Sequence, residues 1–158
     1  MPFPTERVDA RTDFDTFVDE ENERLYKALY FVMGSREDSE DLVQEAFMKL
    51  WERWGSIDQI EDPTGYLFRV ALNGFRMRRR APLPETHDGF VEAEMRADVR
   101  QLLLDVTPRQ RAALLLVDML GYPSEQAARI LRVRPSTVRN LASQGRKALK
   151  ATEGARDA

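Results

Sequence analysis

Apolar residues recur at spacings of three and four along most of this 158-residue chain, and nowhere do they alternate with polar ones. A period near 3.6 builds helices with one buried stripe, and without a two-residue period there is no strand to build a sheet from. The chain is therefore expected to be all-α. From Asp13 to Met33 the stripe is Phe14, Phe17, Val18, Leu25, Tyr26, Leu29, Tyr30 and Val32, and Gly34 ends it. Ser35 to Asp38 offer oxygens to cap the next helix, and Asp38 followed by Asp41 resembles a capping box. In SEDLVQEAFMKLWERW, the residues Leu42, Val43, Ala46, Phe47, Leu50, Trp51 and Trp54 form one broad apolar face, with Glu40, Asp41, Gln44, Glu45, Lys49 and Glu52 opposite.

The segment GSIDQIEDP reads as a surface loop, with turn formers at both ends. Asp62 and Pro63 then suit the cap and first residue of a third helix. Tyr66, Leu67, Val70, Ala71 and Phe75 face inward from it, while Arg69, Asn73, Arg76, Arg78, Arg79 and Arg80 face outward. Cations at a helix C-terminus are also favoured by its dipole, so the basic end is open to two readings, a solvated terminus or an anion-binding face. Two prolines and a glycine in APLPETHDGF, residues 81–90, mark a linker, and its His87 reads as a bystander. Helical spacing resumes with Val91, Met95, Val99, Leu102, Leu103 and Val106. Thr107, Pro108 and Gln110 then give a clear helix start, and RQRAALLLVDML runs on to Gly121. The expected architecture is two small helical domains, residues 10–80 and 91–152.

The stretch SEQAARILRVRPSTVRNLASQGRKALK, from Ser124 to Lys150, fits a helix-turn-helix. Ala127 and Ala128 allow close backbone approach, Ile130, Leu131 and Val133 fill the first helix and turn, and Val138 and Leu141 form the inner face of the second helix. Arg132 occupies the turn position that favours glycine. Ser136, Thr137, Arg139, Asn140, Ser143, Gln144, Arg146 and Lys147 are donors suited to the phosphates and base edges of a major groove.

The net charge of -3 hides an asymmetry: residues 1–61 carry sixteen acids and seven bases, residues 101–158 five acids and ten bases. The acidic front suits a basic protein surface, and the basic back suits DNA. Catalytic chemistry lacks parts. There is no cysteine, the only histidine lies in the linker, and no HExxH or phosphate-cradling glycine loop occurs. Pairs such as Asp38 with Asp41 or Asp41 with Glu45 read as solvated acids rather than metal ligands, so neither enzyme activity nor a metal or cofactor is expected. The N-terminus lacks a signal-peptide pattern and no stretch is long enough to span a bilayer, so a cytoplasmic protein without membrane insertion is expected.

The ordered set SEDLVQEAFMKLW, YLFRVALNGFRMRRR and TPRQRAALLLVDMLGYPSEQAARILRVRPSTVRNLASQGRKALK resembles the extracytoplasmic-function (ECF) group of bacterial RNA polymerase sigma factors. The resemblance implies that Asp41, Gln44 and Glu45 dock on core RNA polymerase. It implies that Ile57, Asp58 and Gln59 read a base flipped from the minus-ten promoter element, and that Arg69, Asn73 and Arg76 contact that element. The helix-turn-helix donors would then bind minus-thirty-five promoter DNA, and an anti-sigma protein would be a regulator. Leu72, Leu141 and Gln144 stand where the family often carries a base, and Ala142 where leucine is usual. Two other classes fit the same residues: a stand-alone helix-turn-helix regulator that needs no polymerase, and an interaction protein that has lost DNA affinity.

Overall fold

A computed structural model describes residues 3–77 and 105–157, and among them every regular element is helical. The linker at 81–90, the periodicity from Val91 to Leu103 and the arginines at 78, 79 and 80 lie outside the described residues. Helix α1 spans Phe3–Met33. It ends at Gly34, whose φ of 70° and amide N–H donating to the Tyr30 carbonyl (2.7 Å) turn the chain. Helix α2, Arg36–Glu52, begins one step after Ser35. Ser35 Oγ accepts from the Asp38 amide at 3.3 Å, so the cap is this serine and not the Asp38–Asp41 pair expected from spacing.

The segment after α2 is a pair of short 3₁₀ turns within Trp54–Gln59, kinked at Ser56 (φ -120°, ψ 28°), rather than an open loop. Trp54, Ile57 and Ile60 recur at a spacing of three, the period of a 3₁₀ turn, and all three pack against the core. Asp62 then caps helix α3, Pro63–Met77, with its Oδ1 accepting the Gly65 amide at 3.0 Å. Helices α1, α2 and α3 enclose Leu25, Leu29, Val32, Leu42, Leu50, Leu67 and Phe68. Gly74 of α3 lets α2 approach, since a Cβ there would stand 2.5 Å from a methyl of Leu42.

The second half starts on the expected capping box. Thr107 Oγ1 accepts the Gln110 amide at 3.2 Å and Gln110 Oε1 accepts the Thr107 amide at 3.0 Å, opening α4 at Pro108–Leu114. The helix widens into a π turn over Leu115–Met119, closed by the Leu120 amide on the Leu115 carbonyl at 2.9 Å. Helix α5, Ser124–Leu131, and helix α6, Pro135–Asp157, follow. Between them Arg132 adopts φ 55° and ψ 45°, which brings the Val133 amide to the Ala128 carbonyl (3.1 Å). A non-glycine residue there costs on the order of 1 kcal/mol. Ala127 and Ala128 are buried as expected, but in α6 the inner face is Val138 and Ala142, with Leu141 only half-buried.

The two halves meet directly, α1 against α4 and α3 against α5. Arg111 of α4 is 3% exposed and its Nε–H donates to the Val32 carbonyl at 3.0 Å. That carbonyl belongs to the last turn of α1, which has no basic residue of its own. The last carbonyls of a helix lack intrahelical donors and attract cations, so Arg111 completes the end of α1 from the other half of the chain. Burial draws the Arg111 pKa below its ordinary value. A second tie is polar: Tyr122 Oη donates to Asp62 Oδ2 at 2.9 Å, and Gln126 Nε2 to the same oxygen at 3.3 Å. One carboxylate thus caps α3 and holds the second half of the chain.

Burial, with a smaller contribution from the Asp62 bond, pushes the Tyr122 phenol up to about 12. Unfolded tyrosine titrates near 10. Above that pH the unfolded chain releases a proton that the folded chain keeps, so the stability from this group is complete below about pH 10 and fades toward pH 12. Tyr122→Phe should cost about 1 kcal/mol at pH 8. The gap between variant and wild type should narrow in urea titrations at pH 11.

Candidate nucleic-acid and partner interfaces

The outer face of α2 is set by its period. The buried residues Ser39, Leu42, Val43, Ala46, Phe47 and Leu50 occupy one side. Asp41 and Gln44 are exposed on the other with Glu45 half-exposed beside them, its Oε1 3.4 Å from Lys49 Nζ. The three predicted docking residues therefore share one accessible, acidic face. Trp51 departs from the sequence reading: it is 48% exposed. At 100° per residue it lies about 40° beyond Phe47, past the edge of the buried arc. It leans on Phe14 of α1 instead, ring centroids 4.8 Å apart.

Of the three predicted base readers, Asp58 and Gln59 are exposed on the 3₁₀ turns, whereas Ile57 is half-buried against the core. On α3, Arg69 is exposed and Asn73 half-buried one turn later; Arg76 lies on the same helix, its side chain outside the described set. Leu72 is only 4% exposed and belongs to the core. In this arrangement its position offers no surface from which a base could reach DNA. The guanidinium of Arg53, which the sequence reading passed over, sits 5.2 Å from the Tyr66 ring centroid beside the 3₁₀ turns.

Most of the donors predicted on α6 lie on its accessible side. Ser136, Arg139, Asn140, Gln144 and Lys147 are exposed, and Thr137 and Ser143 are half-buried. The opposite side rests on α4, where a Cβ on Gly145 would stand 2.8 Å from a methyl of Leu114. Three of these side chains are engaged by neighbours that spacing could not reveal. Arg146 Nη1 binds both oxygens of Asp118 at 2.8 and 3.0 Å, Arg139 lies 3.8 Å from Glu125, and Gln144 accepts from Gln110 at 3.5 Å. Asp118 sits in the π turn, so Arg146 ties α6 to the helix before the helix-turn-helix. Exposed pairs of this kind contribute roughly 0–1 kcal/mol and exchange easily for a phosphate.

Among the described residues no cluster of acids or histidine is placed to hold a metal ion, and no helix is long and apolar enough to cross a membrane.

Comparisons with known proteins converge on one family. Residues 17–81 match Sigma-70 region 2, and residues 96–149 match Sigma-70, region 4. The ECF RNA polymerase sigma factor SigE of Mycolicibacterium smegmatis is 29% identical over 89% of this chain and 62% of its own length. For SigM of Mycobacterium tuberculosis the figures are 28%, 86% and 74%. The chain thus spans 62% of the one relative and 74% of the other. Among solved structures, the sigma factor RpoE, crystallised with the anti-sigma factor NepR from Bartonella quintana, superposes with a TM-score of 0.69 over 90% of this chain and 97% of that one. At 22% identity that likeness speaks to the fold.

Proposed function

The chain belongs to the extracytoplasmic-function group of RNA polymerase sigma factors, and from that membership we propose that it binds core polymerase through α2 and directs it to promoters through α3, the 3₁₀ turns and α6. The observation that carries this reading is the separation of faces: acids exposed on α2, Arg69 exposed on α3, and cationic and amide donors exposed on α6. Asp41, Gln44 and Glu45 meet the polymerase. Asp58 and Gln59 read the flipped minus-ten base, with Ile57 packing beneath them, and holding that base outside the stack favours melting. Arg69, Asn73 and Arg76 follow the same element. Ser136, Thr137, Arg139, Asn140, Ser143, Gln144, Arg146 and Lys147 take the minus-thirty-five element in the major groove. The units are residues 10–80 and 91–152 about the linker 81–90. The chemistry of transcription belongs to the polymerase, and the chain acts beside it in the cytoplasm. An anti-sigma protein is its proposed regulator.

The direct contact of the two halves has a geometric consequence. A compact chain of this length is about 40 Å across. The two promoter elements lie about 25 base pairs apart, roughly 85 Å of duplex. To hold both, α3 and α5 must part, releasing the Tyr122–Asp62 bond and the buried Arg111 contact. The closed arrangement is the free form in this reading.

A gel shift separates a sigma factor from a stand-alone regulator: promoter DNA should be retained with core polymerase present and much less by the chain alone. Asn73→Ala should lower run-off transcription on the order of tenfold, the loss of one to two good base or phosphate contacts, with affinity for core unchanged. Equal transcription from the variant would remove Asn73 from the promoter face.

A further inference from the structure

The polar residues of α6 divide by angle. With Asn140 taken as the centre of the outer face, at 100° per residue, Ser136, Ser143, Gln144 and Lys147 fall within about 60° of it. Arg139 and Arg146 fall about 100° and 120° away, both on the same flank and two turns apart. Each meets an acid from an earlier helix. Arg146 Nη1 lies 2.8 and 3.0 Å from the two oxygens of Asp118, and Arg139 Nη1 lies 3.8 Å from Glu125 Oε1. Residues 101–158 hold only five acids. Glu153 and Asp157 belong to α6 itself, Asp105 accepts from the Thr152 hydroxyl at 2.8 Å, and the remaining two are the ones set against these arginines.

Neither pair is built as a strong tie. All four side chains are exposed, Asp118 is held through one guanidinium nitrogen rather than two parallel bonds, and 3.8 Å is too long for a hydrogen bond. Exposed pairs of this strength add little to stability, so holding the fold together is a minor role for them. Their place on the flank gives them a larger one. When a helix lies in the major groove its centre faces base edges and its flanks face the phosphates of the groove walls. There the two arginines meet phosphate with a carboxylate already beside each of them. We propose that Asp118 and Glu125 are intramolecular stand-ins for phosphate, a role that rests on the reading that α6 takes duplex DNA. They hold Arg146 and Arg139 in the free chain and must yield them when α6 enters the groove. They thereby lower the sequence-independent affinity of the chain for DNA, while Asn140, Gln144 and Lys147 at the centre of the face are untouched.

The test titrates full-length protein onto a fluorescein-labelled, mixed-sequence duplex of about 30 base pairs, with anisotropy read between about 50 and 200 mM salt. Asp118→Asn with Glu125→Gln should raise affinity on the order of tenfold at the lower salt. The slope of log affinity against log salt should steepen by about 0.9 for each arginine released. Glu20→Gln, an exposed acid of α1, removes the same charge per site and should change neither quantity; an equal gain from it would overturn the proposal. A cycle separates release of an arginine from simple loss of an acid: Asp118→Asn should raise affinity about threefold beside Arg146 and not at all beside Arg146→Gln. A gain that persists in both backgrounds overturns the stand-in role, and so does a fall in affinity, which would make the pair a strut for α6. Lys147→Gln reports on α6 itself and should flatten the slope by about 0.9. If it does so while the acid variants change nothing, the stand-in role is overturned and α6 still binds DNA. If it too changes nothing, or no protein binds at the lower salt, both are overturned.

Discussion

Asp41→Lys with Glu45→Lys should abolish capture of this protein by core RNA polymerase. Both side chains stand on the outer face of α2, away from the buried arc, and Glu45 Oε1 lies 3.4 Å from Lys49 Nζ. Losing that exposed i,i+4 pair costs about 0.3–0.5 kcal/mol, so the fold should survive. At the interface the change is much larger. Two acids facing a basic partner become two bases, and close charge pairs across interfaces couple by about 1.5–7 kcal/mol. Even the lower figure, lost twice and replaced by repulsion, reduces affinity on the order of a hundredfold or more. A pull-down with purified core checks the result, with circular-dichroism melts confirming that both proteins are folded.

Arg111→Ala should lower the unfolding free energy by about 2–4 kcal/mol. Truncation removes the donor to the Val32 carbonyl and leaves that group buried between α1 and α4. An orphaned buried acceptor costs about 1–3 kcal/mol, and the space left by a large buried side chain adds to it. Arg111→Met refills most of the volume without the donor and should recover only part of the loss. Urea denaturation of the three proteins gives the order directly: wild type, then Arg111→Met, then Arg111→Ala. A small domain has roughly 5–15 kcal/mol in total, so this one contact is a sizeable share.

What could be read from the sequence and what could not divide by distance along the chain. The Thr107–Gln110 box, the Asp62 cap and the left-handed Arg132 were legible because each is a local problem with few solutions. The helices followed from the apolar period, and the two domain families followed from their order. Finer choices turned on competing neighbours. Of the oxygens from Ser35 to Asp38 it is Ser35 that caps α2, Ala142 is buried beside a half-buried Leu141, and Trp51 falls just outside the buried arc. The loop expected at Gly55 to Asp62 begins with 3₁₀ turns kinked at Ser56, from which Ile57 and, just beyond them, Ile60 pack against the core with Trp54.

Long-range ties had no sequence signal. Arg111 is separated from Val32 by 79 positions and Tyr122 from Asp62 by 60, and no spacing links them. The same holds for the site. Asp41 and Gln44 of α2 and most of the α6 donors stand exposed, as their helical spacing implies, but the pairing of Arg146 with Asp118 and the burial of Leu72 have no signal in spacing. A base missing at Leu72 looks from sequence like a lost DNA contact. In the folded chain it is a packing residue on the helix that meets α5.

Run-off transcription with purified core polymerase on genomic DNA fragments tests the central claim most directly. Adding this chain should yield discrete transcripts from a small set of start sites that core alone does not produce, and lysines at 41 and 45 should erase them. Discrete DNA retention without core, together with no new transcript when core is supplied, would contradict it.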